Sequence, residues 1–329
     1  MIEIVALSEA MREAVGLAER VAPTNANVLI TGESGSGKDA LAAFIHSRSP
    51  RAPQPLVKID CATLPADLLE AEVFGYERGA FTGATEAKPG RMEAAHRGTL
   101  VLDEIAHLTL DAQAKLLRVI EHREFERLGG RKTIAVDARL IALTNADLRN
   151  AVARRAFRDD LFYRLNVVQI SVPPLRERQK DVETLARSLV KTYAAKHGRA
   201  ARLSRAARDL LLAYEFPGNV RELANIIERA VIVCDGAEIE ASHLPDSVRL
   251  AAAQQVRKGR RPTLAEVESD YIRETLTATR GNKTEAARVL GISRKNLYER
   301  LAREVEVRGQ RSEAGTDPSS GSNNTADAD

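Results

Sequence analysis

The chain has 329 residues, of which 44% are hydrophobic and 29% charged, a composition typical of a globular protein with two or three domains. Its net charge of +3 is unevenly spread, because segment 257–308 carries 13 Lys/Arg against 8 Asp/Glu, and such a basic segment makes nucleic acid a candidate partner. No apolar run is long enough to span a membrane, the N-terminus does not have the pattern of a signal peptide, and Cys61 and Cys234 lack the spacing of metal ligands. We therefore expect a cytoplasmic protein that does not act in a membrane.

A phosphate-binding loop follows the first predicted strand. Residues 28–31 form a short apolar run, and the pattern GxxxxGK comes next, before a predicted helix at 40–47. Backbone amides at the start of such a helix can bind phosphates, aided by the helix dipole, and the lysine can reach the β and γ phosphates. The predicted nucleotide contacts are Gly32, Glu33, Ser34, Gly35, Ser36, Gly37, Lys38 and Asp39.

Asp39 stands where this loop usually has Ser or Thr. Its carboxylate can serve as an oxygen ligand of Mg²⁺ or hold water around the ion. It can equally act only as an early acidic residue that favours the helix dipole. Both interpretations are open at the level of sequence.

A glycine-bracketed loop is predicted within segment 73–84. Gly79 and Gly83 flank Phe81 and Thr82, a spacing that favours a bendable loop with an aromatic ring and a hydroxyl at its tip. Loops on rigid scaffolds often carry function. An ordinary turn that buries Phe81 in the core fits the same spacing.

Two more predicted strands end in polar side chains. The strand at 98–102 runs into Asp103 and Glu104, and the strand at 140–143 runs into Thr144 and Asn145. In a nucleotide hydrolase the first carboxylate can hold the Mg²⁺ shell, and the second can polarise a water for attack on the γ-phosphate. The polar pair can sense that phosphate or orient the water. The alternative for the acidic pair is solvated charge without a role.

The remaining elements define the fold class. Strands at 56–60 and 167–172 alternate with helices, which predicts a parallel α/β sheet, and a second flexible loop is predicted at 125–131. Beyond Pro174 the pattern is helical only, with predicted helices at 181–196, 204–214 and 219–234. Arg221 lies in the first turn of the last helix, where a cation does not favour the dipole. This suggests a functional partner, with an exposed surface arginine as the alternative.

The C-terminal part resembles a DNA-binding module. After a basic linker at 251–263 and an amphipathic helix at 264–279, Asn282 and Ser293 are placed to cap two short helices separated by a glycine-containing turn. This arrangement predicts a helix-turn-helix, with a helical protein–protein module as the alternative. The candidate DNA contacts are Ser293, Arg294, Lys295, Asn296, Tyr298 and Arg300. We expect dimers to form through the helix at 264–279 and the polar tail at 309–329 to be disordered.

Taken in chain order, the motifs closely resemble one family. GESGSGK, FGYERGAFTGA, GTLVLDEI, ALTNADL, FRDDLFYRL, PPLRER and FPGNVREL are similar to the AAA+ domain of sigma-54-dependent transcriptional activators, and GNKTEAARVLGISRKNLYERL is similar to their Fis-type helix-turn-helix. The resemblance implies an α/β AAA+ P-loop ATPase core at 1–173 and a helical lid subdomain at 174–250. It also implies an all-α DNA-binding domain at 264–308.

The resemblance further implies an ATPase site shared between subunits of a ring, usually a hexamer. Lys38 would contact the phosphates of ATP, Asp103 would help to hold Mg²⁺ and Glu104 would activate water. The implied sensor and arginine-finger residues are Thr144 and Asn145 (sensor I), Arg221 (sensor II), and Arg158 and Arg164 (fingers that reach the nucleotide of the neighbouring subunit).

Its implied output is transcriptional. The loop formed by Gly79, Ala80, Phe81, Thr82, Gly83 and Ala84 would contact sigma-54 and remodel the closed complex of its RNA polymerase holoenzyme, with enhancer DNA bound by the helix-turn-helix. The alternative is a DNA-binding regulator that uses nucleotide as a ligand and acts on another sigma factor. Most family members begin with a receiver or ligand-sensing domain, whereas this chain begins at the ATPase. We therefore expect control by expression level or by a separate inhibitory protein.

Some positions depart from the family pattern. Asp39 replaces the usual Glu, and Asp60 stands where the family commonly has an Asn that hydrogen-bonds the catalytic glutamate. We hypothesise that Asp60 shares a proton with Glu104 or repels it. Phe216 replaces the usual Trp, which we expect to be a tolerated packing change.

Overall fold

The structure is a computed structural model that describes residues 4–251 and, further along the chain, 268–269, 271–273, 275–276, 279, 281–298 and 300. The chain divides into two units, Met1–Ala252 and Ala253–Asp329, and each is described by itself. Most of the predicted linker at 251–263 and all of the predicted tail at 309–329 lie outside the described residues. Among the described residues, no helix has both the length and the apolar character that a membrane span requires.

The first unit contains a five-stranded sheet and three two-stranded sheets. Its strands are β1 (Val28–Thr31), β2 (Leu56–Asp60), β3 (Gly75–Tyr76), β4 (Lys88–Pro89), β5 (Thr99–Asp103), β6 (Glu124–Glu126), β7 (Thr133–Ala135), β8 (Arg139–Thr144), β9 (Val168–Ser171), β10 (Arg202–Leu203) and β11 (Glu238–Ile239). The large sheet has the order β2-β5-β8-β1-β9, and all its pairs are parallel. The carboxyl ends of its strands therefore meet at one edge, where β1, β5 and β8 run into the three polar segments found in the sequence.

Helices cover both faces of this sheet, as the α/β prediction requires. They are α1 (Glu9–Val21), α2 (Lys38–Ser47), α3 (Ala66–Phe74), α4 (Arg91–Ala94), α5 (Leu110–His122), α6 (Leu148–Ala153) and α7 (Asp159–Leu165). Successive strand residues point to opposite sides, so that Leu29 packs in one buried cluster while Val28 and Ile30 pack in the other. Because both faces are covered, the central strands are continuous apolar runs without a polar alternation.

Two hairpins project from this core between α3 and β8. The first pairs β3 with β4 and carries segment 79–84, and the second pairs β6 with β7. The segment 125–131, predicted as a flexible loop, thus begins in strand β6. Phe125 is buried there and packs against Phe74, with 6.0 Å between the ring centroids. A bridge between Tyr76 and Leu128 joins the bases of the two hairpins.

Helices α8 (Gln179–Lys196), α9 (Arg205–Leu212) and α10 (Asn219–Val233) lie in the C-terminal part of the first unit. They surround a core of their own, in which Phe216 is fully buried and meets Tyr214 edge to face at 5.0 Å. The aromatic ring at 216 is thus well packed.

In the second unit the predicted helix caps are present. Asn282 accepts the N–H groups of Thr284 and Glu285 at the start of α11 (Lys283–Val289), and Ser293 Oγ accepts the N–H of Asn296 at 3.2 Å. Residues 294–298 are helical, and Leu297 packs with Ala286 and Ala287 in a small buried cluster. The described residues therefore form the two capped helices and the turn that the sequence predicts.

Candidate nucleotide-binding and hydrolysis site

The phosphate-binding loop closes tightly between β1 and α2. Lys38 begins α2, has only 7% of its surface exposed, and donates from Nζ to the carbonyl oxygens of Gly32 (2.8 Å) and Glu33 (3.3 Å). At Gly35 the backbone is left-handed (φ +74°), and a Cβ there would lie 2.5 Å from the carbonyl oxygen of Gly218. A glycine is therefore required at position 35 by both conformation and space.

Glu104 is held next to this loop in an unusual backbone conformation. It follows β5 with φ 52° and ψ 50°, the left-handed region that a residue with a side chain rarely adopts. Its Oε1 lies 3.6 Å from Lys38 Nζ, and its Oε2 accepts the backbone N–H of Asn145 at 3.1 Å. The structure thus brings together the lysine of the loop, the acidic pair and the end of β8. Strain of this kind clusters at functional sites.

The two predicted magnesium ligands meet at a lysine that the sequence interpretation did not consider. Nζ of Lys58 lies 2.5 Å from Oδ1 of Asp39 and 2.8 Å from Oδ2 of Asp103. Burial acts to lower the pKa of Lys58, but the hydrogen bonds to Asp103 and Asp39 outweigh it and raise the pKa above its usual value. The ammonium lies between two carboxylates, at the place where a metal ion would bind. Carboxylate oxygens are ligands that Mg²⁺ prefers. The residues present therefore fit a magnesium site.

Asp60 bonds within its own turn. Its Oδ1 accepts the N–H of Ala62 at 2.9 Å. Burial raises the pKa of the Cys61 thiol to about 12, with further contributions from the nearby charges of Asp60, Asp103 and Glu104. The carboxylates thus cluster around one buried thiol, and the hypothesis of a proton shared by Asp60 and Glu104 stays a prediction.

Thr144, at the end of β8, is fully buried. Its Oγ1 accepts the N–H of Ala146 at 3.0 Å. This bond shapes the turn that presents the Asn145 N–H to Glu104.

Residues of the helical part of the first unit form hydrogen bonds to the phosphate-binding loop. Arg221 donates from Nη1 to Oγ of Ser34 at 2.9 Å, and Asn219 donates from Nδ2 to Glu33 and to the carbonyl oxygen of Ser34, both at 3.1 Å. Glu33 also accepts two hydrogen bonds from Arg176 at 2.7 and 2.9 Å. The Arg176 bonds, together with that from Asn219, lower the pKa of Glu33 to about 2. Sequence reasoning found Arg221 but missed Arg176 and Asn219, although both lie in the motifs PPLRER and FPGNVREL.

The two predicted arginine fingers are paired with acidic groups of their own chain. Arg158 makes two hydrogen bonds to Asp160, at 2.8 and 3.0 Å, and Arg164 binds Glu121 at 3.0 Å. Their side chains are 41% and 61% exposed, so both guanidinium groups are accessible to another molecule.

Gln113 positions the backbone of Arg158. It is fully buried on α5 and accepts the Arg158 N–H at 2.8 Å, while its amide donates to the carbonyl oxygens of Leu108 (2.8 Å) and Ala156 (3.2 Å). Sequence reasoning missed this residue. The signal that could have indicated it is the amide side chain of Gln113 at a position of α5 where the helix is otherwise apolar.

Segment 79–84 forms a closed turn at the tip of its hairpin. The N–H of Gly79 donates to the carbonyl oxygen of Ala84 at 2.8 Å, and the exposed Thr82 lies between them. Phe81 is 40% exposed and meets Tyr76 edge to face at 5.0 Å. Its ring therefore packs on the base of the hairpin rather than in the core, which settles the question that spacing left open.

The second hairpin supports this turn. A Cβ at Gly129 would lie 2.9 Å from Ala80, so the two tips are in contact. Arg127 binds Glu77 at 3.1 Å and Glu93 at 2.8 Å, across the bases of both hairpins. Contacts therefore join the two hairpins at both their bases and their tips.

In the second unit, most predicted DNA contacts are exposed. Ser293, Arg294, Lys295, Asn296 and Tyr298 are exposed. Two positions are partly engaged within the unit, since Lys283 lies over the Tyr298 ring at 4.8 Å and Arg300 forms an ion pair with Glu268.

Comparisons with known proteins agree along the chain. Residues 4–171 match the Sigma-54 interaction domain, residues 176–261 the AAA+ ATPase lid domain, and residues 263–303 the Fis family of bacterial regulatory proteins. The transcriptional regulatory protein FlbD of Caulobacter vibrioides is 46% identical over 309 residues, which cover 89% of this chain and 68% of FlbD. The regulatory protein AtoC of Escherichia coli is 44% identical over 303 residues, which cover 89% of this chain and 66% of AtoC.

Among solved structures, NtrX from Brucella abortus in complex with ATP matches with a TM-score of 0.69 and 36% identity. The match covers 91% of this chain and 68% of NtrX. The chain thus spans about two thirds of the length of these relatives.

Proposed function

Because the chain belongs to the family of sigma-54-dependent transcriptional activators, we propose that it hydrolyses ATP to remodel the closed complex of sigma-54 RNA polymerase. Membership of this family makes it an ATP-binding AAA+ protein that regulates transcription. The observation that carries the rest of the proposal is the convergence of Lys38, Glu104 and Asn145 at the carboxyl edge of the sheet. A lysine for phosphate and a carboxylate for water are the groups that hydrolysis requires.

The proposed chemistry uses groups already in place. ATP phosphates occupy the loop at 32–38, and Lys38 exchanges its carbonyl partners for phosphate oxygens. Glu104 polarises the attacking water, while its bond to Asn145 keeps the carboxylate aimed at the γ-phosphate. Asp39 and Asp103 would hold Mg²⁺, which neutralises charge on the phosphates when it is bound.

The two exposed arginines make assembly a condition of activity. Arg158 and Arg164 bind carboxylates of their own chain, and we propose that they act on the nucleotide of a neighbouring subunit in a ring, in the family usually a hexamer. An arginine supplied from a neighbour contributes about 10³–10⁵ in rate. Turnover per subunit should therefore rise with protein concentration.

We propose that segment 79–84 is the contact with sigma-54. Its exposed Thr82 and half-exposed Phe81 lie at a hairpin tip that packs against Gly129 of the second hairpin. The helices at 283–289 and 294–298 bind enhancer DNA in this proposal, with dimers on a palindromic site. The division into core, lid, linker, DNA-binding domain and tail, a cytoplasmic location and control by an inhibitory protein also belong to the proposal.

The central test is open-complex formation in vitro with sigma-54 RNA polymerase and ATP. Lys38→Ala and Glu104→Gln should abolish both ATP turnover and open complexes. Thr82→Ala should keep ATP turnover within about twofold, because its hydroxyl lies exposed on the hairpin tip, and it should lose open complexes. If Thr82→Ala supports normal open-complex formation, the assignment of the loop is wrong. If turnover does not depend on protein concentration, the proposal of fingers supplied by a neighbouring subunit is wrong. If ATP binds but is not turned over at any concentration, the protein is better described as a regulator that binds nucleotide as a ligand.

A further inference from the structure

Lys58 places a positive charge where the nucleotide site needs a metal ion. Its Nζ bridges Asp39 and Asp103 at 2.5 and 2.8 Å, so the two carboxylates already converge on one cation. Without that ammonium the two acidic groups would face each other and repel. The first carboxylate belongs to α2 and the second to the end of β5, so the ammonium also ties the phosphate-binding loop to the sheet.

The position of Lys58 in the fold allows its ammonium to move away from Asp39 and Asp103. It lies in the middle of β2, the outermost strand on its side of the sheet, and pairs in register with Val101. Its side chain remains 44% exposed, and the side chain of Asp39 is 53% exposed. A lysine with a long flexible stem can therefore withdraw its ammonium to water without disturbing the strand. The pair with Asp39 is exposed and contributes little, whereas the side chain of Asp103 is only 13% exposed, so we expect the ammonium to leave Asp103 as another cation takes its place.

We propose that Lys58 is an exchangeable internal cation, which neutralises the magnesium ligands Asp39 and Asp103 in the nucleotide-free site and withdraws when Mg²⁺ enters with ATP. This inference rests on the proposed function in one respect, namely that Mg·ATP is the ligand of the site. The phosphates add negative charge beside the two carboxylates, and that added charge favours a divalent ion over a single ammonium. The free site therefore discriminates against a bare divalent cation, and metal binding becomes coupled to nucleotide binding.

The direct test measures divalent binding in the absence of nucleotide. Mn²⁺ is titrated into purified full chain and the free ion is followed by electron paramagnetic resonance, with Mg²⁺ as competitor. The test variant is Lys58→Met, which keeps the length of the side chain and removes the charge. Its matched control is Lys196→Met, which removes a lysine bound to Glu228 at 2.8 Å on α8.

Lys58→Met should bind Mn²⁺ on the order of tenfold more tightly than the unaltered chain, because a competing cation within hydrogen-bond distance of both ligands is gone. Lys196→Met should bind like the unaltered chain, and Lys58→Arg, which keeps the charge, should not gain affinity. If Lys58→Met gains no affinity for Mn²⁺, the ammonium does not compete with the metal and the proposal fails.

A second measurement distinguishes a Lys58 that gives way to Mg²⁺ from a Lys58 that stays in place and supports the bound nucleotide. Fluorescent ATP binding is followed as Mg²⁺ is raised, and Lys58→Met should reach half-saturation at a lower Mg²⁺ concentration. A Lys58→Met protein that stays folded but loses Mg·ATP affinity would overturn the proposal, since Lys58 would then be needed in the bound state. The Mn²⁺ titration contains neither ATP nor polymerase. A chain that fails the open-complex test but shows the gain in Mn²⁺ affinity would therefore sink the proposed function and leave the exchangeable cation in place.

Discussion

Replacement of Gln113 by Leu tests whether the buried amide holds Arg158, the proposed arginine finger, in position. The substitution keeps the approximate size of the side chain and removes its three hydrogen bonds, to the N–H of Arg158 and to the carbonyl oxygens of Leu108 and Ala156. The bond to Leu108 is buried and the other two are partly buried, so the three backbone groups lose this partner where water has limited access. Each buried group left unpaired costs about 1–3 kcal/mol. Leu regains part of this through apolar burial.

We therefore expect the free energy of unfolding to fall by about 3 kcal/mol in Gln113→Leu, measured by urea denaturation. The ATPase rate at saturating protein concentration, corrected for the folded fraction, should fall about 10- to 100-fold because the Arg158 backbone is no longer fixed. The matched control is Gln179→Leu, an exposed amide at the start of α8, which should change stability by less than about 0.5 kcal/mol. A Gln113→Leu protein as stable as the parent refutes the energetic reasoning, and one that is destabilised but fully active per folded ring refutes the positioning role.

Three further outcomes follow from the site. Gly35→Ala should abolish ATP binding in a fluorescence titration, because its Cβ would meet the Gly218 carbonyl oxygen at 2.5 Å; normal affinity would contradict this. The folded-state pKa of Glu33 is about 2 against 4.5 normally, so its stabilising pair with Arg176 is complete above about pH 4.5 and is lost as the pH falls toward 2. Glu33→Gln should therefore reduce the fall in the free energy of unfolding between pH 4.5 and 2, by less than about 1 kcal/mol, as measured by acid unfolding. Cys61, buried with a pKa near 12, should react with thiol reagents at pH 8 only as the chain unfolds, and rapid native labelling would disprove its burial.

The sheet could be predicted because its signals are local. The apolar run at 28–31 ends where the glycine-rich pattern begins, and β1 has those bounds in the structure. The second flexible loop was predicted too long because Gly129 and Gly130 dominate its composition. What makes Phe125 a strand residue is its contact with Phe74, some fifty residues earlier, and its pairing with Ile134. Neither is visible in a short window of sequence.

The site residues likewise fall into those that local motifs predict and those that depend on contacts between distant parts of the chain. Lys38, Glu104 and Asn145 follow from motifs at the ends of strands, since parallel strands bring those ends together. Arg176 and Asn219 escaped prediction because their partner, Glu33, lies 143 and 186 residues away in the chain. Their role depends on how the helical part packs against the loop, which no local pattern encodes.

In a single chain, four cationic groups of the proposed ATPase site already lie beside carboxylates, namely Lys38, Lys58, Arg158 and Arg164. The guanidinium groups of Arg158 and Arg164 have exposed or half-exposed partners, so these pairs contribute little, whereas Lys58 has one exposed partner, Asp39, and one largely buried partner, Asp103. Lys38 and Glu104 differ, because their side chains are 7% and 17% exposed and their separation of 3.6 Å is weakly screened. In the proposed ring, the exposed pairs of Arg158 and Arg164 are the ones that a neighbouring subunit can replace at low cost. The more buried pair of Lys38 and Glu104 is held more strongly, so we expect it to separate only when a strongly charged ligand such as the triphosphate of ATP enters.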